Sequence, residues 1–183
     1  EPLTTDRDLR VKVQFPWQRG RRPLPGGLGH DARSPDAEGN APGTDASGTW
    51  VRVASPAAGA NWGAVFTPRI GTEVAVGFVE GDIDRPVVLG ALYNGQDLPP
   101  WSAGADSGIN HPGVISGLHT HHLDHAGCNR WLIDDATAQL RMRTLCSYTL
   151  AEVGLGHLIA QTSSSAQRGP WRGSGFELAT QAW

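Results

Sequence analysis

Residues 62–93 read WGAVFTPRIGTEVAVGFVEGDIDRPVVLGALY, and this stretch decides the fold class. Within it, Val74, Val76 and Phe78 alternate with other residues at the period of a strand that buries one face. The acidic segment 80–86 contains glycine and ends in proline, which predicts a turn, and residues 87–93 predict a further strand. Short strands separated by turns indicate a small all-β domain.

The residues before position 62 supply the other predicted strands of this domain. Val11, Val13 and Phe15 alternate with polar residues, and Pro16 ends that strand because proline cannot donate to a ladder. Residues 50–53 form a short strand pattern, and residues 63–67 form another extended piece. Together these segments predict a small five-stranded antiparallel barrel.

The predicted barrel domain covers residues 1–95. Inside it, residues 18–48 are rich in Gly, Pro, Ala, Asp and Arg and predict a long exposed loop. The side chains predicted to fill the barrel core are Val11, Val13, Phe15, Val74, Val76, Phe78 and Val88.

Residues 62–94, together with Arg10–Trp17, resemble the barrel domain of the VgrG (valine-glycine repeat protein G) family. These are the spike proteins of bacterial type VI secretion, and they are related to the central spike of contractile phage tails. The resemblance implies that the barrel is of the oligonucleotide/oligosaccharide-binding (OB) type. It also points to a mechanical part rather than to an enzyme.

The chain after the barrel has a different texture. Residues 96–107 predict a linker, and residues 108–183 carry only short extended pieces without a helical stripe. These pieces are residues 113–118, 131–133, 139–144, 148–151 and 155–160. Because such pieces cannot bury a core alone, we expect identical chains to complete it.

The segment Gly127–Asp135 is similar to the neck segment of the same family, with Arg130 where a Glu is usual. The resemblance therefore implies that residues 108–183 begin an intertwined, trimeric β-helical neck, to which the segments 155–159 and 171–178 also belong. The side chains predicted to form the neck core are Leu132, Ile133, Leu140, Met142, Leu155 and Ile159.

By resemblance, the expected function is structural and not catalytic. A homotrimer sits on the secretion tube protein, carries effectors or adaptors and a tip-capping protein, and punctures a target envelope that it contacts only transiently. We expect assembly in the bacterial cytoplasm and export by type VI secretion to the extracellular space or the target cell. The sequence opens with no signal peptide and has no methionine at Glu1, so we expect a piece of a longer chain.

Charge and cysteine usage exclude several other classes of function. Lys and Arg total 15 against 18 Asp and Glu, and the net charge of −3 gives no electrostatic reason to bind nucleic acid or an anionic membrane. Cys128 and Cys146 show neither a disulfide framework nor a zinc spacing, and we interpret them as two buried thiols.

A histidine cluster at residues 119–125 raises the question of a metal. In a strand, His119 and His121 point to one face, so three copies around an axis supply six imidazoles for an axial transition metal. His122, Asp124 and His125 match half of a metallohydrolase signature, but Thr120 stands where its first histidine is required. The simpler interpretation is a polar loop with no metal and no cofactor.

One further function remains open. Trp17, Trp50, Trp62 and Trp101 surround the barrel and would suit an OB module that binds an oligonucleotide or a glycan. Without a basic groove, these rings are better explained as packing anchors or as contacts between copies. The acidic residues 80–84 are better explained by a turn than by a metal loop.

Overall fold

The computed structural model describes residues 5–15, 48–101, 115–123, 126–148, 150–159 and 170–180. The chain divides into two compact units, Glu1–Leu98 and Pro99–Trp183, and the division falls inside the predicted linker. Strands dominate both units, which confirms the all-β prediction. Among the described residues, no helix is long and apolar enough to cross a membrane. The predicted loop 18–48 lies outside the described residues, apart from Gly48.

In the described part of the first unit there are six short strands and one turn of 3-10 helix, at Val79–Gly81. Four strands form one sheet in the order β1-β2-β6-β5, and β3 pairs with β4 in a separate hairpin. The strands are β1 (Val11–Val13), β2 (Thr49–Val53), β3 (Ala58–Gly59), β4 (Trp62–Gly63), β5 (Val74–Phe78) and β6 (Pro86–Ala91).

This sheet differs from the predicted barrel in two respects. β2 and β6 pair in parallel, with Arg52 opposite Val87, whereas an antiparallel set was expected. β1 and β5 are the two ends of the sheet, so the described residues do not close it into a barrel. A further strand was expected at residues 63–67. In the structure, β4 ends at Gly63, which pairs with Ala58 of β3.

Four valines form the core of the first unit. Val11, Val13, Val51 and Val88 are buried, and Phe15, Val53, Val74 and Val76 pack against them. Phe78 was expected inside this core but is 37% exposed. It lies at the last position of an end strand, where it stacks on the ring of Phe15 with the centroids 6.3 Å apart.

The described strands of the second unit form a five-stranded sheet in the order β11-β10-β9-β8-β7, in which every neighbouring pair is antiparallel. Gly117 allows β7 to lie close to β8, because a Cβ at this position would stand 1.9 Å from the carbonyl oxygen of Trp131. The strands are β7 (Ile115–His119), β8 (Asn129–Asp134), β9 (Arg141–Cys146), β10 (Ala151–Ile159) and β11 (Trp171–Ala179).

Candidate functional site

The second sheet has one face that carries no charge. Cross-strand partners point to the same side of a sheet, so the strand register defines this face. One row across the five strands consists of Leu118, Trp131, Thr144, Val153 and Leu178. The next row consists of Ser116, Ile133, Met142, Leu155 and Phe176. We call these two rows the apolar face.

Much of the apolar face is uncovered in the single chain. Phe176 is 62% exposed and Leu178 is 68% exposed, while Trp131 and Leu155 are each a little over 40% exposed. A groove of about 640 Å³ runs along the first of these rows, where Leu118, Trp131 and Val153 are among its lining residues, and Arg130 and Glu152 also border it. A contiguous apolar surface of this kind marks a site of association.

The opposite face holds charged residues, and those of β8 and β9 are buried. Asp134 accepts hydrogen bonds from Arg141 Nε at 2.9 Å, from Gln139 Nε2 at 2.7 Å and from the backbone N–H of Ala136 at 3.0 Å. Leu132 and Leu145 lie on the same face and are also buried. The usual order of a surface sheet, with apolar side chains inside and polar ones outside, is therefore inverted.

A second ion pair lies beside the first on this charged face. Arg143 donates to Glu152 through Nε at 2.6 Å, and its Nη2 donates to the other carboxylate oxygen. Burial lowers the pKa of Arg130, the nearby Cys128 opposes that shift, and the charge of Arg143 adds to it. Burial likewise lowers the pKa of Arg141, against the opposing effect of Asp134. These buried polar contacts therefore hold the strands of the second sheet together.

The predicted neck-core residues fall into three groups. Leu132 and Ile159 are buried within the chain. Ile133, Met142 and Leu155 share one row of the apolar face, where Met142 and Leu155 are exposed. Leu140 forms the third group: it directly precedes β9, its carbonyl accepts a hydrogen bond from the N–H of His157, and it is 69% exposed. Leu132 and Ile133 cannot share one core, because adjacent strand residues point to opposite faces.

His119 and His121 lie side by side at one corner of the charged face, with their ring planes tilted by 41°. Their ring centroids are 5.0 Å apart, and the ring of Trp101 lies 6.2 Å from that of His119. Burial lowers the pKa of His119 to about 4, and the charges of Arg130 and His121 add to the shift. Arg130 is the cross-strand partner of His119, and its guanidinium disfavours a bound cation.

The described residues contain no group of three or more His, Cys, Asp or Glu side chains that could hold a metal ion. Asp124 and His125, which the metallohydrolase hypothesis requires, lie outside the described residues. His119 lies on the charged face, on the side of the sheet opposite the apolar face. The axial metal therefore stays a prediction. It requires the charged face of each of the three copies, and not the apolar face, to line their common axis.

Other predicted features have simple structural explanations. Arg85 Nη1 donates to Glu80 at 2.9 Å, and the carboxylate of Asp82 accepts a hydrogen bond from the backbone N–H of Asp84, as expected of a turn. Cys146 and Asn129 are cross-strand partners and so share one face of the sheet. Cys128 directly precedes Asn129 and therefore points to the opposite face. Both thiols are free and half-buried, where buried ones were expected.

Sequence reasoning missed the buried polar residues of the second sheet. Charged residues in a glycine-rich, polar segment are usually solvated, so they were given no structural role. The signal lies in their period of two: Arg130, Leu132 and Asp134 alternate in β8, as Arg141, Arg143 and Leu145 do in β9. That alternation marks one face of a strand pair.

Two family models match the chain. The model described as the type VI secretion system/phage-baseplate injector OB domain matches residues 38–93. The model described as the putative type VI secretion system Rhs element Vgr matches residues 121–183. The first match covers most of the strands of the first unit, and the second covers β8 to β11.

Several relatives are similar to this chain. Type VI secretion system spike protein VgrG2a of Pseudomonas aeruginosa is 33% identical over 180 residues, which are 98% of this chain and 18% of that protein. VgrG2b of the same species is also 33% identical over 98% of the chain. The actin cross-linking toxin VgrG1 of Vibrio cholerae is 33% identical over 102 residues, or 56% of the chain. The chain spans less than a fifth of the length of these relatives.

Proposed function

This chain belongs to the VgrG family of type VI secretion spike proteins, and we propose that it is a structural segment of such a spike that assembles as a homotrimer. The apolar face of the second sheet is the observation that carries this proposal. Two uncharged rows cross all five strands and remain exposed in the single chain. A soluble chain needs a partner to cover such a surface.

A second and a third copy are the partners that fit this face best. The face has no charge, so identical faces can meet without like-charge repulsion or the cost of burying an ion. Three sheets arranged around an axis bring every apolar face to the inside of one prism. Cyclic symmetry closes the assembly and leaves no apolar face exposed.

The charged face suits the mechanical role of a spike. Its ion pairs and carboxylate hydrogen bonds lie within one chain, so each sheet is braced before assembly. Buried hydrogen-bonded ion pairs strengthen one another in the low dielectric of the interior and hold their strands in one arrangement. We expect each copy to contribute a stiff wall to the neck.

The remaining parts of the function rest on the family alone. We propose that the trimer sits on the secretion tube protein, carries effectors or adaptors and a tip-capping protein, and punctures target envelopes. We place its assembly in the bacterial cytoplasm and its release by type VI secretion. One relative is named for actin cross-linking. For this segment we propose no catalytic activity.

The alternative function, an OB module that binds oligonucleotides or glycans, has less support. Several cationic side chains of the first unit already face carboxylates or rings: Arg10 contacts Asp6, Arg85 contacts Glu80, and Lys12 lies over Trp50. Phosphate binding needs clustered positive charge that is available to the ligand. The homotrimeric spike segment is therefore the better proposal.

Native mass spectrometry of the chain and of two variants tests this proposal. Trp131→Glu places a charge on the apolar face, and we expect it to convert trimers into monomers. Tyr148→Glu is the matched control, because Tyr148 is exposed in the turn after β9, away from both rows. A wild-type chain that is monomeric at every concentration, or a Trp131→Glu chain that stays trimeric, would contradict the proposal.

A further inference from the structure

One asparagine of the first unit stands directly before a glycine. Asn94 and Gly95 form the only Asn-Gly pair of the sequence, and they lie in the segment that follows β6. Asn94 is half-buried, and Gly95 is exposed. The backbone nitrogen of the next residue can attack an asparagine side chain, and glycine leaves that nitrogen unshielded because it has no side chain. The pair is therefore suited to a covalent change that needs no enzyme.

The side-chain carbonyl of Asn94 is held in a turn of residues 94–97. Its Oδ1 accepts hydrogen bonds from the backbone N–H of Gln96 at 2.8 Å and from that of Asp97 at 2.7 Å. The backbone N–H of Asn94 donates to the carbonyl oxygen of Asp97 at 3.1 Å, which closes the turn. Two N–H groups that point at one carbonyl oxygen stabilise the oxyanion that forms when a nucleophile adds to the carbonyl. The turn therefore activates this side chain.

The amide nitrogen of the same side chain faces two carboxylates. Asn94 Nδ2 donates to Glu73 Oε2 at 2.8 Å and lies 3.4 Å from Asp97 Oδ2. Glu73 directly precedes β5, and its carbonyl oxygen accepts a hydrogen bond from the N–H of Leu92 at 2.9 Å. Both ends of the amide are thus bonded, and its orientation is fixed with the nitrogen on the side of the carboxylates.

The N–H of Gly95 is available as the nucleophile. It makes no hydrogen bond to any other residue that the structure describes. A Cβ built on Gly95 meets nothing within 4 Å, so this side of the turn is open to water. Attack on the neighbouring side chain closes a five-membered ring, and a reaction within one molecule avoids the entropic cost of bringing two reactants together.

We propose that Asn94 deamidates in the folded chain through a succinimide. The nitrogen of Gly95 gives its proton to hydroxide from the solvent and forms a bond to Cγ of Asn94, and the negative charge moves to Oδ1 between its two N–H donors. The bond from Cγ to Nδ2 then breaks, and the leaving nitrogen takes a proton from water and departs as ammonia. A second water opens the ring at either carbonyl, which gives aspartate or isoaspartate at position 94.

The product has a charge where the turn requires a donor. Nδ2 is lost, so Glu73 and Asp97 lose the group that lies between them, and a third carboxylate stands beside theirs. Like charges at this distance repel one another. Isoaspartate also adds one carbon atom to the main chain. Because the turn lies directly before the division between the two units at Leu98, deamidation loosens the end of the first unit as the protein ages.

Peptide mapping by mass spectrometry tests the proposal on the native chain. After incubation, the peptide that contains Asn94 should gain one dalton, and it should do so faster at mildly alkaline than at neutral pH, because the attacking nitrogen must lose its proton. Asn61 and Asn129 are internal controls, since Trp62 and Arg130 follow them, and they should stay unchanged. A native chain that keeps its asparagine at position 94 would overturn the proposal.

Gly95→Ala is the matched variant. Position 95 has open space and an ordinary φ, so it accepts a methyl group without strain, and thermal unfolding should be unchanged. The methyl group shields the attacking nitrogen, and we expect the variant to lose most of the conversion. Conversion at the rate of the wild type would mean that the reaction does not pass through the nitrogen of Gly95.

A parallel incubation in urea separates the effect of the fold from that of the local sequence. Conversion that is confined to urea, or is much faster there, would show that the fold protects Asn94 and would overturn the proposal. Asn94→Asp reproduces the aspartate product, and hydrogen exchange at residues 92–97 should be faster in this variant than in the wild type. Equal exchange would show that the added carboxylate does not loosen the turn. Neither measurement depends on the proposed homotrimer.

Discussion

Asp134 and Arg141 are direct cross-strand partners, and they form a salt bridge of 2.9 Å in which both side chains are almost completely buried. Removing either group leaves the other as an uncompensated buried charge. We expect Asp134→Leu alone to lower the free energy of unfolding by about 3–5 kcal/mol. Urea unfolding followed by circular dichroism measures this change.

The double variant Asp134→Leu with Arg141→Met is the control for that experiment. It removes both charges together, and we expect it to recover part of the lost stability, because the Gln139 amide and the Ala136 N–H still lose their acceptor. If the double variant were as unstable as the single one, the unpaired charge of Arg141 would not be the cause.

The pKa of His119 predicts how stability depends on pH. Burial, followed by the charges of Arg130 and His121, lowers this pKa from 6.5 to about 4. The unfolded chain therefore binds the proton more readily, so the contribution of His119 to stability is complete above pH 6.5 and falls as the pH drops towards 4. Urea midpoints at pH 7 and pH 4.5 should differ less in His119→Gln than in the wild type.

The neighbouring change His122→Gln is the control for this pH effect. We expect it to keep the pH dependence of the wild type. An unchanged pH dependence in His119→Gln would show that other groups dominate the acid response.

Ile133→Asp tests the apolar face at its second row. An aspartate here places a charge between Met142 and Ser116, where we propose that other copies pack. We expect sedimentation velocity to show monomers of this variant. Tyr148→Asp should remain trimeric, because Tyr148 is exposed in the turn after β9. Loss of trimers in Tyr148→Asp would extend the interface to that turn.

Gly117→Ala tests how closely β7 lies against β8. The new Cβ would meet the carbonyl oxygen of Trp131, and the φ of +147° disfavours any side chain. We expect a loss of at least about 2 kcal/mol in stability, measured by thermal unfolding. Gly90→Ala, at a position with open space and an ordinary φ, should be nearly neutral. Equal effects would mean that β7 can shift to make room.

Parts of the fold were predictable from local patterns alone. The alternation of Val74, Val76 and Phe78 corresponds to β5, with the same bounds. β10 was predicted as two pieces, at residues 148–151 and 155–160, whereas the structure shows one strand, Ala151–Ile159. Gly154 and Gly156 leave room within this strand for the side chain of Leu158 and the backbone of Leu140. Pairing across strands overrides a weak local preference.

The candidate site was harder to predict, because it depends on register. Ile133, Met142 and Leu155 were all named as core residues, but only the ladder places them in one row. Trp131, Val153, Phe176 and Leu178 were not named, although they continue the same face. The period of a strand can be recognised in the local sequence. The choice of neighbouring strands and their register depends on residues that are far apart in the chain.

The order of the second sheet has a kinetic consequence. β7 and β11 are its two outer strands, and among the described residues neither has a partner on its outer side. A newly made chain therefore exposes two open strand edges beside an apolar face, which is the arrangement that promotes disordered aggregation. Productive association competes with that process from the moment of synthesis. Yield should therefore depend on how quickly three chains meet, and slower expression at lower temperature should give more soluble protein.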